Sequence, residues 1–178
     1  MPGKKRLLEK YNGRKWYWLQ ASKKFLLLVA VLFVLCRLVL GFSVVSGNSM
    51  LDTLASGDVV VYSRIGNDVD RGDIISLALP SGEYYVKRVV ALGGDVVDLQ
   101  NGVLYVNGVA ETGAYVRGCT YPEAGSFSYP FTVPHGDVFT LGDNREASID
   151  SRFYGPVSLQ QVRGILRLHI GKNFIRFL

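Results

Sequence analysis

At 178 residues the chain has room for one domain and an appendage, not for several domains. Hydrophobic residues at 48% exceed what a soluble domain ordinarily carries, and the formal charge is +5. That charge does not point to nucleic acid: residues 1–24 hold eight Lys and Arg against Glu9, a balance of +7, while residues 38–178 come to −3.

In chain order, the basic run Lys4 to Lys24 is followed by FLLLVAVLFVLC, Arg37 and LVLGFSVV. Counted as Phe25 to Val45 this is a run of 21 residues. As a helix it would be about 31 Å long, the thickness of a bilayer core. A cleaved secretion signal would be shorter and end in Ala-x-Ala, which is absent. A buried core helix would not follow so many cations. The expectation is a transmembrane anchor over 25–45, with Arg37 snorkelling to the interface. The basic segment 1–24 would then be cytoplasmic, beside anionic lipid headgroups, and residues 46–178 would form the extracytoplasmic catalytic domain.

Beyond the anchor the chain reads as short strands. DVVVYS (58–63), DIISLAL (73–79), YYVKRVVAL (84–92), DVVDL (95–99), VLYV (103–106), VFTL (138–141) and RGILRLHI (163–170) are rich in β-branched and aromatic residues. Turn-forming combinations separate them: Arg71-Gly72-Asp73, Gly93-Gly94-Asp95, Asn101-Gly102 and Asn107-Gly108. Arg71-Gly72-Asp73 is a turn opening a strand rather than an adhesion tripeptide. Residues 111–134 break the rhythm with Gly, Pro, Ser and Tyr, and read as an excursion loop or small hairpin. The predicted fold is mainly β: a curled antiparallel sheet, or two packed layers, preceded by one N-terminal transmembrane helix. Cys36 and Cys119 lie far apart, so no internal disulfide is expected.

Candidate chemistry is narrowed by elimination. His135 and His169 stand alone, with no metal-ligand spacing around them, and no P-loop is present. Neither a metal nor another cofactor is expected. Strand alternation puts Tyr85, Lys87, Val89 and Ala91 on one face. A lysine held against such a face loses hydration, which favours its neutral form and lets it take a proton from a hydroxyl. The plain alternative is an edge-strand lysine with its head in water. In SGNSMLDTLASGDVVVY (46–62), Ser49 lies on irregular backbone just before a strand, where it could be a nucleophile or only a turn serine. LGDNREASIDSRFYG (141–155) could be a solvated loop or could orient catalytic groups.

Together these segments resemble type I signal peptidases, the serine–lysine endopeptidases of the S26 type that remove secretion signals. The serine box is similar to Ser46-Gly-Asn-Ser-Met50 with Thr53-Leu54, and the lysine box to Tyr85-Val-Lys-Arg-Val-Val90 with Gly94-Asp95. The last box is similar to Gly142-Asp-Asn-Arg145, Ser148, Asp150-Ser-Arg152 and Gly155. The length suits the single-anchor, Gram-positive-like branch. The resemblance implies Ser49 as nucleophile, Lys87 as general base, and secreted preproteins as substrates. It further implies Ser148 orienting the amine, ion pairs Asp150–Arg152 and Asp143–Arg88, and an oxyanion held by the N–H groups of Ser49 and Gly47. Asp52 and Gly93 depart from the family pattern, which usually has proline at both. Two rival readings are a Ser–Lys self-cleaving repressor, which would need a DNA-binding head, and an assembly factor for secreted subunits such as pilins, which would be expected to lack the serine or the lysine.

Overall fold

The computed structural model describes residues 2–66, 68–123, 127–172 and 174–178, with side chains from Trp16 onward. Most of the expected cytoplasmic basic segment, and the middle of the 111–134 excursion, therefore lie outside the described side chains. The chain divides into two units, residues 1–39 and 40–178.

The first unit is one helix, α1 (Pro2–Val39). Among the described residues no helix is long and apolar enough to cross a membrane. Lys23, Lys24 and Arg37 bracket the uninterrupted apolar stretch 25–36. As helix that stretch is only about 18 Å long, against about 30 Å of bilayer core. The expectation of a helix through residue 45 is corrected here. Helix ends at Val39, and Leu40–Val44 is strand β1, paired with residues 59–63.

The second unit continues with β2 (Val59–Ser63), β3 (Ile74–Ala78), β4 (Tyr84–Leu92), β5 (Val96–Gln100), β6 (Val103–Val106), β7 (Val109–Ala110), β8 (Phe131–Thr132) and β9 (Asp137–Leu141). A four-residue helix α2 (Ser151–Tyr154) precedes β10 (Val157–Ser158), β11 (Val162–Ile170) and β12 (Ile175–Phe177). One antiparallel sheet runs β1-β2-β11-β3-β4-β9-β10, with β12 paired to β11; a smaller one runs β7-β6-β5-β8. The second sheet is a local product of its turns. Asn101-Gly102 and Asn107-Gly108 both have positive φ at both residues, the backbone a two-residue primed hairpin turn requires. The excursion returns as β8, which pairs with β5.

Three apolar clusters hold the sheets. Ile75, Leu77, Val89, Val138 and Ile165 form one, and Val90, Ala91, Val97, Leu104 and Phe139 a second. A bulge between Val89 and Ala91 breaks the alternation of β4, so Ala91 packs in the second cluster rather than beside Val89. The third cluster joins Met50 and Leu54, just after Ser49, to Val60, Tyr62, Ile74 and Leu166, which fixes the serine-bearing turn to the sheet.

The turn reading of Arg71-Gly72-Asp73 matches its bonding. Arg71 Nε donates to Asp95 at 2.8 Å, Gly72 N–H bonds Val89 O at 2.8 Å, and Asp73 accepts from Asp70 N–H at 3.0 Å. At Gly93 a Cβ would stand 2.8 Å from Pro134 O and 2.9 Å from His135 Cα, so backbone approaches there too closely for a side chain. Gly93→Ala should therefore destabilise the fold by about 1–3 kcal/mol, the usual cost of overpacking. A thermal melt should show this as a loss of roughly 3–10 °C; an unchanged melting temperature would mean the loop yields freely.

Candidate active site

The two candidate groups meet. β4 carries Lys87 inward, 1% exposed, and its Nζ donates to Ser49 Oγ at 2.7 Å. Ser49 itself is half-buried, in the turn between β1 and β2. Its carbonyl accepts from Asn144 N–H at 3.0 Å, and Asn144 Nδ2 donates to Asn48 O at 3.0 Å, so the loop after β9 clamps the serine turn. Burial depresses the Lys87 amine from 10.5 to about 8. Asp150 and Asp143 act in the opposite direction, and Arg152 adds to the depression.

The remaining residues singled out in the sequence surround this pair in different ways. Asp143 is fully buried and receives Arg88 bidentately, Nε to Oδ1 and Nη2 to Oδ2, both at 2.8 Å. Asp150 is equally buried. It caps α2 through Arg152 N–H and pairs with the Arg152 side chain, Nε to Oδ1 at 2.8 Å and Nη2 to Oδ2 at 2.9 Å. Gly47 has φ +88° and is exposed. Ser148 Oγ is buried with no hydrogen-bond partner among the described residues, so the structure holds no bond between it and the amine. It stands close to the Ser49 carbonyl across Gly142: a Cβ at Gly142 would lie 2.2 Å from Ser148 Oγ and 2.5 Å from Ser49 O. Beside Ser49 a cavity of about 140 Å³ is lined by Ser43, Val45, Met50, Ser76, Tyr85 and Val86, among others.

Neither histidine approaches the serine turn through a hydrogen bond. His169 is buried and its Nε2 lies 2.6 Å from Asp58 Oδ2. Burial pushes the Asp58 carboxyl up, but the Ala55 N–H and His169 outweigh it and hold it below its ordinary value. His135 is exposed in its turn. Among the described residues no cluster of three His, Cys, Asp or Glu could hold a metal ion.

Several contributors were not assigned roles from sequence. Thr53 Oγ1 donates to Asp143 Oδ2. Arg145 is buried and gives Nε to Gly142 O at 3.0 Å, while its Nη1 meets Thr120 Oγ1 at 2.8 Å and the Glu111 carboxylate at 2.6 Å. The Arg88 guanidinium lies 3.9 Å over the Tyr115 ring, and the Tyr115 hydroxyl bonds Glu111. Burial and then the Glu111 charge push the Tyr115 phenol up to about 12, which keeps it a donor. The start of the excursion is thus a clasp over the loop that follows β9. Arg145 stood in the last box and could have been flagged; Glu111 and Tyr115 lay where only loop composition was visible.

A curled antiparallel sheet that presents a serine hydroxyl to a buried lysine amine defines the class: a mainly β protein with a serine–lysine site. Comparison with known proteins gives the family. The model of the family described as "Signal peptidase, peptidase S26" matches residues 18–170. Signal peptidase I of Bacillus caldolyticus is 36% identical over 168 residues, covering 86% of this chain and 87% of that protein. Signal peptidase IB of Staphylococcus aureus is 32% identical over 153 residues, covering 75% and 79%. A crystal structure of a signal peptidase I from Enterococcus faecalis superposes with a TM-score of 0.46 at 34% identity, over 56% of this chain and 97% of that one. The chain belongs to the signal peptidase family, peptidase S26, and is of peptidase class.

Two ion pairs here differ sharply in burial and should differ in weight. Glu111→Gln leaves the buried Arg145 guanidinium short of its carboxylate, and should cost about 3 kcal/mol. Asp52→Asn removes only an exposed pair with Arg117, the two side chains 81% and 52% exposed, and should change stability by less than about 0.5 kcal/mol. Urea unfolding of both variants gives the comparison; equal losses would deny the clasp its structural role.

Proposed function

We propose that the chain is an endopeptidase that removes N-terminal signal peptides from secreted preproteins, with Ser49 as nucleophile and Lys87 as general base. The observation that carries this reading is the 2.7 Å contact between Ser49 Oγ and an amine that burial brings down to about 8, so that a fraction of it is neutral near physiological pH. The names of the relatives support the substrate class.

The chemistry runs in two halves. The neutral Lys87 amine takes the Ser49 hydroxyl proton as Oγ bonds to the scissile carbonyl carbon. The N–H groups of Ser49 and Gly47 would hold the oxyanion, with glycine at 47 offering backbone only. The C–N bond then breaks, the leaving amine receives the proton from the Lys87 ammonium, and the signal segment remains as an ester on Ser49. Water, deprotonated by Lys87, attacks that ester and restores both residues. Asp143–Arg88 and Asp150–Arg152 brace the loop near the amine, and Ser148, whose buried hydroxyl has no partner among the described residues, would orient the amine once the serine proton has moved. The 140 Å³ cavity beside Ser49 suits the small residues that precede the cut.

We also propose that α1 holds the chain at a membrane. Phe25, Leu26, Leu27 and Leu28 occupy successive positions around the helix and are all exposed, an apolar surface that water does not tolerate on every side. Trp16, Tyr17 and Trp18 suit the headgroup level, and Lys23, Lys24 and Arg37 can extend their charges toward it. If those charges snorkel far enough for α1 to cross, the +7 balance of residues 1–24 puts the N-terminus on the cytoplasmic side and residues 40–178 outside. Protease added to intact spheroplasts should digest the 40–178 unit and spare the first residues; protection of that unit would refute the topology.

In detergent, with a preprotein as substrate, Ser49→Ala and Lys87→Met should each abolish cleavage, His135→Ala should not, and EDTA should have no effect. Only the neutral amine can accept the proton, so activity should rise with pH along an acid limb centred near 8. A limb centred where ordinary lysine titrates, about 10.4, or zinc-dependent activity, would overturn the mechanism.

A further inference from the structure

The small cavity beside Ser49 shares one wall with a much larger one. Tyr85 lines both. The larger measures about 490 Å³, and Leu79, Pro80, Ile149, Phe153 and Tyr154 supply most of the rest of its surface. That size lies in the range of pockets that take organic side groups, about 300–1,000 Å³. The 140 Å³ cavity lies below it.

The residue common to both lies beside the Lys87 amine. Tyr85 and Lys87 share one face of β4, and Lys87 Nζ is 5.4 Å from the Tyr85 ring centroid. Ile149, also in the lining of the larger cavity, directly follows Ser148, whose hydroxyl stands near the Ser49 carbonyl. An extended peptide with its reacting carbonyl at Ser49 and small side chains in the first cavity therefore leaves past Tyr85 into the second.

We propose that this second cavity is the groove for the first residues of the mature polypeptide, those just after the cut, and that it takes an apolar or aromatic side chain. The inference rests on the reading of Ser49 and Lys87 as the reacting pair. Its wall is built for presentation: Asp150, Ser151 and Arg152 are buried, while Ile149 and Phe153, four residues apart, are turned outward, 55% and 67% exposed. The Asp150–Arg152 pair that braces the catalytic loop thus also holds two large apolar side chains at the groove. Among the described residues no Lys or Arg lines the cavity, and Glu83 is the charged group there, so an acidic side chain is disfavoured.

The test uses the full-length protein in detergent and peptides of fixed sequence up to the cut, with Phe, Leu, Ala or Asp at each of the next two positions. Phe or Leu should exceed Ala in kcat/KM by about tenfold at one of these positions, mainly through KM, and Asp should fall below Ala. In the Ile149→Ser/Phe153→Ser double variant the KM for the Phe peptide should rise to that of the Ala peptide, and the ratio should fall to about one. An unchanged ratio, or equal losses for every peptide, would overturn the groove, as would a change in selectivity confined to residues before the cut. Binding of the same peptides to Ser49→Ala, read by fluorescence anisotropy, separates the two claims. If Ser49→Ala still cleaves, the dyad falls; if it is inert but binds Phe and Ala peptides equally, the groove falls alone.

Discussion

The structure turns on one constraint: a lysine amine is buried against a serine hydroxyl, and on the proposed mechanism that amine must lose its proton below the ordinary lysine range. Neutrality requires removal from water, and a β-strand inside a curled sheet supplies it. β4 pairs with β3 over residues 84–88, with Lys87 opposite Ile75, and with β9 from Arg88 onward; Lys87 is 1% exposed. The drop in the amine from 10.5 to about 8 corresponds to about 3 kcal/mol of discrimination against its charged form. Below about 8 the folded chain bears that cost in full; between about 8 and 10.5 the unfolded chain binds the extra proton, so stability contributed by this site rises with pH.

The serine must then be held as firmly as the lysine, although it sits in a turn. Met50 and Leu54 anchor the turn into the third apolar cluster from one side, and the Asn144 N–H grips the Ser49 carbonyl from the other. Gly142 is needed where these chains cross, because any Cβ would collide with the Ser148 hydroxyl and the Ser49 carbonyl. The excursion adds a third hold: Arg117 N–H bonds Asp143 O and Arg145 N–H bonds Arg117 O, both at 2.8 Å. Secondary structure at the site is therefore scant, but its backbone bonding is dense.

What could be read in advance follows the reach of each interaction along the chain. The Asn-Gly turns and the β-branched runs of β2 to β6 depend on neighbours in sequence, and they were legible. The end of α1 was not. Leu38 and Val39 differ little in hydropathy from Leu40 and Val44, and only pairing with β2, some twenty residues on, turns the latter into strand. The bulge after Val89 was hidden for the same reason, since it records how β4 fits β9. At the site, the boxes brought Ser49, Lys87 and the two ion pairs to attention. The clasp of Glu111 and Tyr115 escaped because its meaning lies wholly in what it touches.

The flanking ion pairs resolve a conflict in the electrostatics. Asp143 and Asp150 are both buried near the amine, and each favours its charged form. Left unpaired, two such carboxylates would hold a proton on Lys87 and remove its capacity as a base. Arg88 and Arg152 each take one carboxylate bidentately, so the field of each anion is largely spent on its own partner. Arg152 goes further and pushes the amine down directly. With the carboxylates neutralised in pairs, burial becomes the largest influence on Lys87. The same side chains that give the loop its rigidity thereby leave the lysine free to be neutral.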